Sequence, residues 1–383
     1  MSLTTTSTNT SKGSSRLATP PAAPHSPDEE SKIHDAGSRA DDYYAAKFSP
    51  IRAFLRNQVL LPIIAAETPV LGRLQARIRH PWLDKYFEKT SNLGTHTAYV
   101  LMLPMFFWYG NPDLGRLLTF CLAFGVYFTN VLKDYFCLPR PRSPPVVRLT
   151  TKGTTHSLEY GFPSTHTANS FSIYIVFVRE LNLMFEGNHN GYYWALQALN
   201  LLYIITLVFG RIYCGMHGFM DLLGGTAIGA TVFLVRVRFA AFFDNLLLNG
   251  ASQAVLWVLP LALALLFFHP VPVERCPCYL DGVAFLAVIA GEWIGEWNFL
   301  QQHGGNAIAY EYRGLLHVLL RFVVGTLLVL GFRAVAKTVL KTTLFKQAAT
   351  VTGEKAKLDF FVYGGVGWVT VNLAGRVFEL TGV

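Results

Sequence analysis

A chain of 383 residues that is 52% hydrophobic, 14% aromatic and only 15% charged is too apolar for an ordinary soluble domain, and it reads as a polytopic membrane protein. The net charge of +8 does not point to nucleic acid, because no nucleic-acid-binding module accompanies the basic residues and a membrane surface explains them more simply.

Residues 1–45, rich in Ser, Thr, Pro and charge, hold too little apolar surface to offset the entropy of ordering and are expected to form a disordered tail. The tail lacks the apolar stretch of a signal peptide, so the first spanning helix is expected to do the targeting. Asn9-Thr10-Ser11 is a glycosylation sequon that matters only if the tail is luminal. Residues 46–95 break their apolar patches with Arg52, Arg56, Arg73, Arg77, Arg79, Lys85 and Lys89, a pattern that suits interfacial amphipathic helices.

Apolar runs near the ~20 residues a bilayer requires then follow at 96–109, 115–132, 166–183, 193–210, 219–238, 253–268, 281–297, 315–333 and 358–377. Two are short, so an all-α bundle of about 8–10 transmembrane helices is expected. The chain divides into a core bundle at 96–270 and additional C-terminal helices at 271–383. Apolar residues surround these helices, which leaves small residues such as Gly224, Gly225 and Gly229 to bring them together. Of the five cysteines, Cys121, Cys137 and Cys214 are scattered, while Cys276 and Cys278 form a C-P-C. One such pair is weak support for a metal or a disulfide, so unpaired thiols are expected.

Ionisable residues at span ends are costly and mark function. Lys133 closes the second run and Arg140-Pro141 follows; Pro163 and Ser164 precede the third run with His166 in its first turn; Arg211, His217 and Asp221 sit between the fourth and fifth. Counting spans brings all three segments to one membrane face. Together they supply cations, a Ser164 N-cap with free helix amides, and ionisable chemistry in His166, His217 and Asp221, an inventory that suits phosphate. His217 and Asp221, at i and i+4 on one helical face, have the spacing of a nucleophile or base with its orienting carboxylate. Alone, a cation at a span end is usually a snorkelling anchor and Ser164 could be only a cap; the convergence argues otherwise.

The order K-x6-R-P, P-S-x-H and R-x5-H-x3-D over residues 133–221 resembles the type 2 phosphatidic acid phosphatase superfamily, and the helix layout is similar over about 97–240. "PSTH", "YCGMHG" and "HPVPVERCPCYLDGVAF" look most like the sphingoid long-chain base phosphate phosphatases. The resemblance implies a six-helix lipid-phosphatase core and metal-independent, cofactor-free hydrolysis. In it His217 attacks phosphorus with Asp221 behind it, Lys133, Arg140, Ser164, Thr165 and Arg211 hold the non-bridging oxygens, and His166 protonates the leaving alcohol. It further implies an endoplasmic reticulum membrane protein with a luminal site, although the basic stretch on the same side argues for the cytosol. The superfamily usually has Ser before the third-block arginine; here it is Gly210.

A lipid phosphate is the expected substrate and membrane lipids the surroundings, with no nucleic-acid partner and an open oligomeric state. A soluble sugar phosphate could use the same motifs. A phosphate or lipid transporter is the alternative from another class, but the internal repeats it calls for are not visible. In the C-terminal third, Glu292, Glu296, Arg321 and Arg333 are expected to pair inside the bundle.

Overall fold

The structure is a computed structural model and describes residues 35–149, 159–248, 253–274, 276–348 and 352–383; the Asn9 sequon and most of the expected tail lie outside them. Among the described residues the chain is all-helical. In chain order the helices are α1 Asp41–Ala45, α2 Pro50–Ile78, α3 Pro81–Thr90, α4 His96–Trp108 and α5 Pro112–Phe136. They continue with α6 Thr165–Met184, α7 Gly191–Tyr213, α8 Phe219–Arg238, α9 Ala240–Leu248 and α10 Gln253–Phe268. The last are α11 Cys278–Gln302, α12 Leu315–Thr343, α13 Thr352–Trp368 and, through a π-helical turn at Val369–Leu373, α14 Ala374–Thr381.

Six of these helices (α2, α5, α7, α8, α11 and α12) are long and apolar enough to cross a membrane, and two shorter apolar helices lie at Thr97–Trp108 and Leu256–Phe268. Helix α6 falls short on hydropathy because it carries Thr167, Asn169, Ser170 and Ser172, all buried. Its polar side faces protein rather than lipid.

Helix α2 passes the same test of length and composition, yet its contacts place it across one end of the bundle. Near its start Arg52 donates to the backbone oxygens of Asp134 (2.8 Å) and Tyr135 at the end of α5. Farther along, Glu67 accepts from the Met220 amide at the start of α8 (2.9 Å), and Gln75 donates to the Tyr213 carbonyl at the end of α7 (2.9 Å). A helix that touches three neighbours only at same-face termini covers that face, so the basic stretch stays on the side of those termini.

Within the expected 1–45 tail the described residues are packed, with Ala36 and Tyr44 buried. Tyr44 is fully buried and donates to Glu274 (2.9 Å), and the buried Arg56 guanidinium donates to the Gly37 carbonyl (3.0 Å) and stacks on the Tyr44 ring. Cys276 and Cys278 are likewise corrected, being joined as a disulfide: Pro277 turns the chain so that their Cα atoms lie 5.2 Å apart. Cys121, Cys137 and Cys214 remain free and buried.

The small-residue expectation holds. A Cβ on Gly225 would stand 2.4 Å from the Ser164 carbonyl oxygen, and one on Gly229 the same distance from that of Ala168, so α8 lies directly on α6. In the C-terminal third, α11 and α13 run side by side in the same direction, with Gly291 against Gly364 and Gly295 against Trp368. Glu296 pairs with Arg116, Arg321 donates to the carbonyls of Val383 and Ala309, and Arg333 to the Tyr363 hydroxyl; Glu292 keeps one oxygen, Oε1, without a hydrogen-bond partner.

Candidate active site

The three motif segments meet at the face that α2 covers. Helix α5 ends at Cys137, whose left-handed φ of 50° turns the chain out of the helix and into the Leu138–Arg140 strap. Ser164 caps α6, its hydroxyl accepting the Thr167 amide (3.3 Å), as the sequence suggested. The Ser164 amide donates to the Asp221 carbonyl (3.0 Å), which locks the second segment to the third. Arg140 donates to the Met216 carbonyl (3.2 Å) and joins the first to the third.

His217 is not on the helix. Helix α8 begins at Phe219 with an extended Gly218 as its N-cap (φ −86°, ψ 175°), and His217 precedes it. Asp221, at N3, reaches back: its Oδ2 accepts the Gly218 amide (2.9 Å) and lies 3.3 Å from His217 Nδ1. The i, i+4 pairing is real, but a helix cap makes it rather than a helical face. With Nδ1 turned to the carboxylate, Nε2 carries the lone pair. Burial pushes the His217 pKa well below its ordinary value, and the nearby charges of Arg140, Lys133 and Arg211 push it further. The imidazole is therefore neutral at pH 7, as a nucleophile must be.

Lys133, Arg140, Ser164, Arg211, His217 and Asp221 are each at most 4% exposed. Buried cations need a counter-charge, and Glu159 supplies it: one carboxylate oxygen, Oε2, lies 3.3 Å from both Lys133 Nζ and Arg140 Nη2. Arg211 Nε has no hydrogen-bond partner among the described residues. Thr165 shares a hydroxyl contact with Thr129 (3.0 Å), and the His166 ring lies against Gly94, just before α4. Every residue expected at the site is thus in this one region. The departure at Gly210 also has a physical reason, for a Cβ there would stand 3.1 Å from the Phe87 ring, which packs α3 on α7.

The sequence motifs assign no role to Glu159 or to Glu67, which holds the start of α8 from the covering helix. Neither sits in a motif, and both depend on folding distant segments together. Asp134 lies within 4.8 Å of Cys276 and Cys278, but those sulfurs are bonded to each other.

The segment that carries these residues is similar to known proteins. The PAP2 superfamily matches residues 114–244, which hold all of the residues above except Glu67, Phe87 and Gly94 on the preceding helices and the Cys276–Cys278 pair. A dihydrosphingosine 1-phosphate phosphatase of Schizosaccharomyces pombe is 40% identical over 295 residues, 76% of this chain and 71% of its own. A second, from Saccharomyces cerevisiae, is 33% identical over 367 residues, 92% and 88% of the two chains. Human sphingosine-1-phosphate phosphatase 2 is 28% identical over 339 residues, 82% of each. The crystal structure of Aquifex aeolicus LpxE aligns with a TM-score of 0.36 at 25% identity, over 44% of this chain and 93% of that one. The chain belongs to the PAP2 superfamily and is a multi-pass membrane phosphatase, a phosphoric monoester hydrolase.

Proposed function

We propose that this phosphatase hydrolyses sphingoid long-chain base 1-phosphates to the free base and inorganic phosphate, without a metal, through a phosphohistidine. The observation that carries the reading is the buried His217, held 3.3 Å from Asp221 and close enough to Lys133, Arg140 and Arg211 for their charges to lower its pKa. The likeness to relatives named for dihydrosphingosine and sphingosine phosphates supports the substrate class.

His217 Nε2 attacks phosphorus while its Nδ1–H stays on Asp221. The bond from phosphorus to the ester oxygen breaks, and that oxygen takes a proton from His166. Lys133, Arg140, Arg211 and the Ser164 hydroxyl meet the charge that grows on the non-bridging oxygens, with Thr165 and the amides of the α6 N-terminus beside them. Water, deprotonated by His166, then attacks phosphorus and breaks its bond to Nε2. Glu159 must leave the two cations as phosphate arrives.

We place the enzyme in the endoplasmic reticulum membrane with its site facing the lumen. The Cys276–Cys278 disulfide packs beside Cys137 and Tyr160 on the site's face, and a disulfide persists in an oxidising compartment. The test of the chemistry is turnover of a long-chain base phosphate by purified enzyme in excess chelator. Activity should be unchanged, and restoration by magnesium alone after a loss would refute the mechanism. Reaction of a cysteine introduced on the site face with an impermeant maleimide, in sealed against opened microsomes, tests the sidedness: protection in sealed vesicles is expected, and labelling of sealed ones would put the site in the cytosol.

A further inference from the structure

A chamber of about 420 Å³ lies between α4, α5, α11, α12 and α13, and none of Lys133, Arg140, Ser164, His166, Arg211 or His217 lines it. The PAP2 match at 114–244 includes only α5 of its five walls, so the flanking helices create it. Its wall is apolar, built from side chains such as Leu103, Phe107, Leu122, Phe285, Val329 and Val366. At the site-face end the lining changes to Arg333, Lys337 and Lys355 with Asp281 and Asp359, three cations to two carboxylates. Lys337 and Lys355 are exposed.

The opposite end is polar too, closed by Glu292 and the hydroxyls of Thr119 and Thr370. Glu292 is 3% exposed with Oε1 unpartnered, and the Arg116–Glu296 pair lies one turn beyond. Asp281 and Glu292 on α11 are eleven residues apart, as are Asp359 on α13 and Thr370 in the π-helical turn that follows it, which is about 16 Å of helix from rim to floor. The space is therefore apolar between a cation-rich rim and a polar floor, within the size of small-ligand sites, ~300–1,000 Å³.

The geometry points to a second lipid site, one that binds a single-chain amphiphile with its anionic group at Arg333, Lys337 and Lys355 and its chain descending along the wall toward Glu292. A volume of about 420 Å³ suits one chain rather than two, and the surplus positive charge of the rim, where Lys337 and Lys355 are exposed, selects an anion there. The polar floor sets a length limit, because a methyl terminus gains nothing by meeting a carboxyl group. The Gly94 contact with His166 lies three residues before Thr97, which lines the chamber. The binding readout below is independent of which phosphate ester the catalytic centre takes.

Full-length protein in phosphatidylcholine nanodiscs is to be photolabelled with a diazirine-bearing long-chain alkyl phosphate and, separately, with a diazirine-bearing long-chain fatty acid. Saturable labelling of peptides from α11 and α13 is expected, and it should fall about tenfold in Ala284→Phe, which fills the wall. Arg333→Ala with Lys337→Ala, altered only at the rim, should weaken labelling while hydrolysis of a soluble aryl phosphate persists in both variants and reports intact protein. Competition by unlabelled chains should tighten about fourfold per added methylene until the floor is reached, then stop. Competition by the alkyl phosphate alone identifies the substrate as occupant; competition by both acids identifies a general anionic amphiphile. Labelling that never saturates, or is equal in all three forms, means bulk lipid in a crevice and overturns the site.

Discussion

The site-bearing helices α5–α8 and the C-terminal helices α11–α14 both bury charge, but they use it differently. In the first group Lys133, Arg140 and Arg211 lie close together, and among the described residues one carboxylate, that of Glu159, is ion-paired with two of them. In the second, Glu296 is matched by Arg116, and Arg321 by backbone carbonyls. Unbalanced buried charge is costly and persists only where something else completes it. A substrate phosphate would complete it in the first group, whereas in the second Glu296 and Arg321 already have partners and Glu292 keeps Oε1 without one. Breaking the first group should thus cost turnover, and breaking the second should cost folding or lipid binding.

The largest effect belongs to His217→Asn, which keeps the cap geometry but removes the attacking nitrogen: turnover should fall about ten-thousandfold or more on every substrate. Rapid quenching with labelled phosphate should yield an acid-labile adduct on the His217 peptide in wild type and none in the variant. An adduct on Ser164 would end the assignment.

His166→Ala should be next and should be selective. A lipid alkoxide needs a proton and an aryl oxide needs far less, so the loss should reach about 10²- to 10³-fold on the sphingoid phosphate and be much smaller on the aryl ester. Equal losses on both would give His166 a structural role instead.

How much of this contrast could be read beforehand depends on how local each feature is. Ser164 as a cap and the His217–Asp221 spacing are set within a few residues, and Gly225 and Gly229 mark a helix contact by their residue type, so the sequence carries them. Helix α2 was harder, because hydropathy measures a segment's composition and not which neighbours it meets. The Arg52, Glu67 and Gln75 contacts that lay it across the site's face are tertiary. So are the packing of Asp35–Phe48 on Glu274 and the bridging place of Glu159, which meets Lys133 and Arg140 from twenty-six and nineteen positions away.

Arg140→Gln tests the electrostatics. Arg140 is the first charge, after burial, that depresses the His217 pKa, so its removal should raise that pKa toward the ordinary imidazole value of about 6.5. The acidic limb of kcat/KM, where neutral His217 is lost, should then move to higher pH, with kcat/KM itself down about 100-fold. Stability follows the same sign. A depressed folded pKa contributes stability that is present above about pH 6.5 and lost as pH falls through the folded value, so the variant should be less sensitive to mild acid. An unmoved limb would mean that burial alone holds the imidazole neutral.

The smallest expected effect is at Glu159. Its carboxylate lies where a phosphate oxygen would reach Lys133 and Arg140, so it competes with substrate and product alike for the two cations it neutralises. Glu159→Gln keeps the shape and removes the competing charge. Inorganic phosphate should inhibit the variant about fivefold more tightly, on the order of 1 kcal/mol for a partly screened pair. KM for the lipid should fall with it, and kcat should fall slightly if phosphate release limits turnover. Extra positive charge at His217 should also push its acidic limb lower, the opposite of Arg140→Gln, because Glu159 is the partner that raises its pKa. Weaker phosphate inhibition would show instead that Glu159 holds the two cations in place for the substrate, making the carboxylate part of the phosphate cradle rather than a stand-in for its occupant.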